Sequence, residues 1–268
     1  MRAGHALEAL GAISFRELRK FMQQRSRLLS ALVRPLLWLV VFAAGFRNVF
    51  GVAVIEPYSS FIEYQVYVAP GLLGMICLFN GIQSSLAMVY DREMGMMRLL
   101  LTAPLARAYL LACKLVAGTL LSLVQCYAFL VVCALFGVDL PWSGWLYAFP
   151  ALMLGGLMLG ALGLLLSVYI KQIENFASTM NFVIFPMFFM SSALYPLWKL
   201  KESGAEWLYW VSRVNPFTHS VELTRFAMYG QLNLTSLAVT SGSALLFFVW
   251  AAYGYDPQRG MVKKRAQA

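Results

Sequence analysis

Asp91, Arg92, Glu93 and Arg98 alternate in sign and run directly into an apolar turn, Leu99 to Leu101. Charged ends around an apolar centre suit docking into a groove on a soluble partner. They suit equally a short surface helix tucked under a bundle. Other reactive residue types are sparse. The two histidines, His5 and His219, stand far apart, with no carboxylate or nucleophile at useful spacing. Cys77, Cys113, Cys126 and Cys133 lie in or beside apolar runs, without a CxxC pair or a nearby His at zinc-ligand spacing. They read as small apolar residues in helices, not as a disulfide framework or a metal centre. The sequence has no GxxxxGK[ST] phosphate loop, no HExxH and no GxSxG. No catalytic set is visible.

Charge inside the apolar runs is equally scarce. Ion-coupled carriers commonly place Asp, Glu or His there. Here Arg34, beside Pro35, is the one charge clearly within a run. It can snorkel to the headgroups or touch a substrate or partner directly. A later run carries Asn181, Phe182, Phe185, Pro186, Phe188 and Phe189. Proline can kink a membrane helix, and aromatic residues on a kinked helix could line a path for an amphipathic substrate. They serve equally as packed or lipid-facing bulk.

The elements that position these residues follow from composition. The chain has 268 residues, 60% hydrophobic and only 12% charged, with a mean hydropathy of +0.69. A soluble domain carries about 25% charged residues. Apolar runs long enough to cross a bilayer, which takes roughly 20 residues per helix, lie at about 28–46, 66–89, 115–137, 146–169, 177–195 and 232–253. The expectation is an all-α integral membrane protein with six transmembrane helices in a single domain, 1–268. Gly156 and Gly160 in the fourth run form GxxxG, a signature of close helix packing. Residues 1–27 place Leu7, Leu10, Phe15, Leu18 and Phe21 on one arc and Arg16, Arg19 and Lys20 on the other, the pattern of an interfacial helix. The stretch 196–231, with Trp198, Trp207, Tyr209 and Trp210, reads as short amphipathic helices resting at or dipping into the outer interface.

The net charge of +9 would suggest nucleic acid in a soluble protein. Here the basic residues flank apolar runs, so they read as topology signals and lipid-headgroup contacts, and no nucleic-acid groove is present. With the N-terminus inside, Lys and Arg favour the inner loops threefold, Arg225 being counted among the few outer ones. Both termini are then cytoplasmic. Compact loops without eukaryotic targeting features point to a bacterial inner membrane.

The segment VYDREMGMMRLLLTAPLARAYLLACKL, 89–115, resembles the inner loop of ABC-2 type permeases in Asp91, Glu93, Gly95, Leu99 to Leu101, Pro104, Arg107 and Lys114. VNPFTHSVELTRFAMYG, 214–230, is similar to the family's segment before its last span. Met96 and Met97 depart from the small or polar residues common after that glycine. The resemblance implies a permease subunit of an exporter for a lipid-like, glycan or hydrophobic substrate. It would not be an enzyme by itself and would bind no cofactor, with ATP and Mg on a partner ATP-binding-cassette (ABC) ATPase. Two permease copies, a homodimer, would pair with two ATPases. The coupling residues would be Asp91, Glu93, Gly95, Arg98 and Pro104 in the 90–114 loop, with Arg16, Arg19 and Lys20 on the N-terminal helix. Substrate would pass between the two copies, with Arg34, Asn181, Phe182, Phe185 and Phe189 the path candidates. The competing reading is a self-contained carrier or channel.

Overall fold

The computed structural model describes residues 11, 12, 15, 33–41, 56–58, 62–93, 107–170 and 172–255, without the side chains at 91, 92 and 107. All but residues 11, 12 and 15 of the expected interfacial helix 1–27, both chain ends and most of the 90–107 loop therefore lie outside the described residues. Of the first expected span, only the helical stretch 33–41 is described.

Among the described residues, eight further helices follow: α1 (Tyr64–Glu93), α2 (Arg107–Leu135), α3 (Trp142–Tyr169), α4 (Ile173–Phe189), α5 (Leu197–Glu202), α6 (Glu206–Val214), α7 (Pro216–Met228) and α8 (Leu234–Gly254). Among the described residues, four are long and apolar enough to cross a membrane: α1, α2, α3 and α8. These coincide with four of the expected spans. Two expectations change. The third span begins at Arg107, not 115, because Ala108 to Lys114 continue the helical run without a breaker. The fifth stops at Phe189, not 195. Its 17 residues rise about 25 Å, short of the roughly 30 Å hydrocarbon core. Turns over 190–195 carry the chain on to α5.

The centre of the bundle is a seam between α1 and α3. A Cβ on Gly81 would stand 2.8 Å from the Gly160 backbone nitrogen, and one on Gly163 would stand 2.6 Å from the Gly81 carbonyl oxygen. The two backbones thus approach where a side chain would hold them apart, and dispersion between them replaces the hydrophobic drive that lipid does not supply. On the opposite side, Gly156 and Gly160 receive Thr119 and Leu115 of α2. The GxxxG pair therefore serves packing within the chain. Hydroxyls in these helices bond their own backbone: Thr119 donates to the Leu115 carbonyl at 2.9 Å and Ser122 to that of Gly118 at 3.0 Å.

The periphery is different. α8 exposes Leu245, Leu246, Val249, Trp250 and Tyr253, a surface suited to lipid. α4 buries only Phe176, Ile184 and Phe188. α7, by contrast, sinks into the bundle: Phe217, Val221, Leu223 and Met228 are all buried, and Gly74 of α1 gives room to Phe217 and Val221.

The seam makes a direct prediction. Gly81→Ala should force α1 from α3 and cost about 1–3 kcal/mol, typical of overpacking. Gly242→Ala, with open space around the new methyl, should leave stability unchanged or slightly raised. Thermal unfolding of the two purified variants in detergent checks the contrast.

Candidate functional site

Two neighbouring arrangements around the C-terminal end of α4 bear on function. The first surrounds the turn after α4. Non-helical backbone at membrane depth is tolerated only where protein satisfies its polar groups. Here side chains from two helices do so. Asn215 Nδ2 donates to the carbonyls of Met187 and Met190, both at 2.8 Å, while its Oδ1 accepts from Phe217 N at 3.0 Å and caps α7. Pro216 at the first turn of α7 lacks an N–H that would need a partner. From α1, Tyr64 Oη donates to the Leu194 carbonyl at 2.6 Å and Tyr67 Oη to that of Ser192 at 3.0 Å. Gly71 lets the Ala193 backbone lie directly on α1.

Arg225 completes this node. Its side chain is 2% exposed. One terminal nitrogen donates to the Ser192 carbonyl at 2.9 Å and reaches the Tyr67 carbonyl at 3.4 Å. The other pairs with Glu222 one turn earlier. The guanidinium carbon lies 4.0 Å from the centre of the Tyr67 ring. Arg225 is thus not the exposed loop cation that the topology count assumed. Its charge is compensated by a carboxylate, two carbonyls and a ring. The i, i+3 spacing of Glu222 and Arg225 on one helix was the available signal.

The second arrangement is an aromatic face. The Arg34 guanidinium carbon stands 3.8 Å from the centre of the Phe79 ring. Phe79 meets Phe185 edge-on at 6.2 Å, and Phe185 stacks with Phe189 at 6.2 Å. Trp38 closes the row against Phe188 and Phe189 at 5.9 and 5.6 Å. Three of the expected path residues, Arg34, Phe185 and Phe189, are therefore brought together through Phe79. Asn181 and Phe182 are exposed on the same helix, Phe182 to 79%, but stand outside the row. Beside Arg34 a cavity of about 30 Å³ is lined by Asn80, Gln83 and Gln125, and Asn80 Nδ2 donates to Gln125 Oε1 at 2.5 Å. These amides inside apolar runs were overlooked in favour of ionisable groups. The cavity is too small for a substrate, so the pair ties α1 to α2.

Of the expected coupling residues, only the Glu93 side chain is described. Gly95, Arg98, Pro104, Arg16, Arg19, Lys20 and the Asp91 side chain lie outside the described residues. Glu93 ends α1, and its Oε2 accepts from the backbone N–H of Ile173, the first residue of α4, at 3.2 Å. A carboxylate at a helix N-terminus also complements the helix dipole. Among the described residues, no group of three or more His, Cys, Asp or Glu could hold a metal ion. All four cysteines are buried free thiols, Cys77 and Cys126 in sulfur contact at 3.6 Å.

Long apolar helices, a polar node that holds irregular backbone inside them and a cation-headed aromatic face together define a helical membrane transport protein. A family model described as "ABC-2 type transporter" matches residues 8–229, and the chain belongs to that family. It is 28% identical to a transport permease of Cyanophora paradoxa, ycf38, over 78% of this chain and 71% of that protein. It is 26% identical to ycf38 of Pyropia yezoensis over 85% and 76%. The inner membrane transport permease YadH of Escherichia coli K12 is 23% identical over 90% of each chain. The protein is accordingly a transmembrane transport permease of the ABC-2 family.

The node yields a stability prediction. Arg225→Met leaves the Ser192 carbonyl and Glu222 without their partner and should cost about 3–5 kcal/mol, as when one member of a buried pair is removed. Glu222→Gln should also destabilise, because the amide oxygen still accepts but the buried guanidinium loses its counter-charge. Unfolding followed by the accessibility of the buried cysteines checks both.

Proposed function

We propose that this chain is the membrane-spanning half of an ATP-driven exporter, working as a homodimer with two copies of a separate ABC ATPase that carries ATP and Mg. The observation that carries the reading is the Glu93–Ile173 bond. It joins the helix that leads into the 94–106 segment to the base of α4, and α4 bears the aromatic face. A push on that segment is thereby passed to the helix that would line the substrate path. Closure of two ATPases under the membrane would supply such a push.

Arg34 with Phe79, Phe185 and Phe189 suits a substrate with an anionic or polar head and an apolar body. A lipid-like molecule or a lipid-linked glycan has that form. The face is open on a single copy, with Phe182, Phe185 and Phe189 exposed, and a second copy would enclose it. The Lys and Arg bias sets the end holding Glu93 and both termini toward the cytoplasm. Relatives include a permease named for the inner membrane, which supports that location here. Asp91, Gly95, Arg98 and Pro104 would contact the ATPase from the loop, and Arg16, Arg19 and Lys20 from the N-terminal segment.

Affinity purification from gently solubilised membranes tests the assembly. The expected result is a stoichiometric subunit with a GxxxxGK[ST] loop, and its loss when Arg16, Arg19 and Lys20 are replaced together. A chain that purifies alone, under conditions that preserve comparable complexes, would favour the self-contained carrier. In the assembled complex, Glu93→Ala should lower transport per ATP hydrolysed by roughly fivefold or more, the scale of a 1 kcal/mol coupling. Glu93→Gln, which keeps an acceptor for Ile173, should retain most of it. Equal transport per ATP in all three proteins would refute the coupling role.

A further inference from the structure

A cavity of about 450 Å³ opens among α5, α6, α7 and the start of α8, at the end of the bundle remote from Glu93. Its walls include Trp198, Lys201, Tyr209, Arg213, Thr218 and His219. Nothing in the transport reading uses it. Three of its polar atoms are buried without a protein partner: Trp198 Nε1, Thr218 Oγ1 and His219 Nδ1. Thr218 is 1% exposed, and a buried hydroxyl left unbonded is destabilising. Three such atoms on residues that wall one cavity leave hydrogen-bonding capacity there that the protein itself does not use.

The chemistry of that ligand follows from the atoms. Trp198 Nε1 can only donate. Lys201 and Arg213 add two cationic donors, resting on the rings of Tyr209 at 4.5 Å and Trp210 at 5.4 Å. Glu222 also faces the cavity, but its carboxylate is paired with Arg225. The lining is thus rich in donors and net positive, which suits an anion with several acceptor oxygens. His219 adds a different requirement. Its Nε2 lies 2.9 Å from the Arg213 carbonyl, which can only accept. Nε2 therefore carries the proton, and in the neutral ring Nδ1 offers a lone pair to a hydroxyl. The volume is also too large for a lone carboxylate or inorganic phosphate.

We propose that this cavity binds a polyol phosphate headgroup, with the phosphate toward Lys201, Arg213, Trp198 and Thr218 and a headgroup hydroxyl toward His219. A phospholipid of the surrounding leaflet or a soluble polyol phosphate could supply the same chemistry.

The test is binding to the purified full-length protein in phosphatidylcholine nanodiscs. Phosphatidylglycerol is titrated in, and glycerol 3-phosphate serves as the chain-free competitor. Phosphatidylglycerol should bind saturably. Lys201→Gln/Arg213→Gln should weaken it about tenfold or more, the loss expected when charge-assisted hydrogen bonds are removed. Thr218→Val, which is nearly isosteric and breaks no protein hydrogen bond, should weaken binding without lowering thermal stability. Competition by glycerol 3-phosphate would identify the headgroup alone as sufficient. Binding without competition would assign the site to the lipid. Absence of saturable binding, or wild-type affinity in both variants, overturns the proposal. None of these outcomes depends on the ATPase or on transport.

Discussion

A guanidinium with almost no access to solvent is tolerable only if every neighbour answers its charge. Arg225 meets that condition at both terminal nitrogens, with Glu222, the carbonyls of Ser192 and Tyr67 and the face of the Tyr67 ring, and leaves only Nε without a partner. The constraint works in both directions. The turn after α4 exposes carbonyls that no helix satisfies, and the cation and its tyrosine and asparagine neighbours satisfy them. Remove this exchange and α4 loses its attachment to α1 and α7 at that end. The Phe185–Phe189 stack and its edge-on contact with Phe79 depend on the same attachment, because they hang from the helix it fixes.

The other end of α4 is held differently. Glu93 is exposed and contributes a single hydrogen bond, at 3.2 Å, to the first turn. Only three α4 side chains are buried. Meanwhile α1 and α3 are locked by glycine-mediated backbone approach, and α2 seats Thr119 and Leu115 on the glycines of α3, which leaves little slack for sliding. The result is a rigid three-helix block with α4 at its periphery, pinned at the Arg225 end and lightly tethered at the Glu93 end. Helices of that kind pivot about their pinned end. A pivot there would move the Ile173 end of α4 most and the aromatic face, which lies beside the pin at Phe185 and Phe189, least.

Much of this architecture could be read from residue order. Continuous apolar runs located α1, α2, α3 and α8 to within a few residues, except at the start of α2. There, helix-forming residues continue past the apolar boundary that hydropathy detects. The family resemblance rested on the segments 89–115 and 214–230; of the first, Glu93 has a defined contact in the fold, and the second forms α7 with its Asn215 cap. What residue order did not reveal is long-range compensation. Arg225 looks like a loop cation because its principal partners, Tyr67 and Ser192, lie 158 and 33 positions away. The early end of α4 was hidden for the same reason. Residues 190–195 are apolar enough to continue a span, and only the donors of α1 and α7 make a turn there affordable. Phe79 joined the Arg34 row unannounced, since nothing in its own run distinguishes it from packing.

The central claim is that α4 is fixed at the Arg225 node and free to move at its Glu93 end. Hydrogen–deuterium exchange of the assembled complex, with and without nucleotide, tests it directly. Peptides covering 190–196 should exchange slowly and ignore nucleotide, whereas those covering 172–176 should exchange faster and respond to it. Rapid or nucleotide-dependent exchange at 190–196, with 172–176 protected and unchanged, would place the moving end at the node and contradict the account.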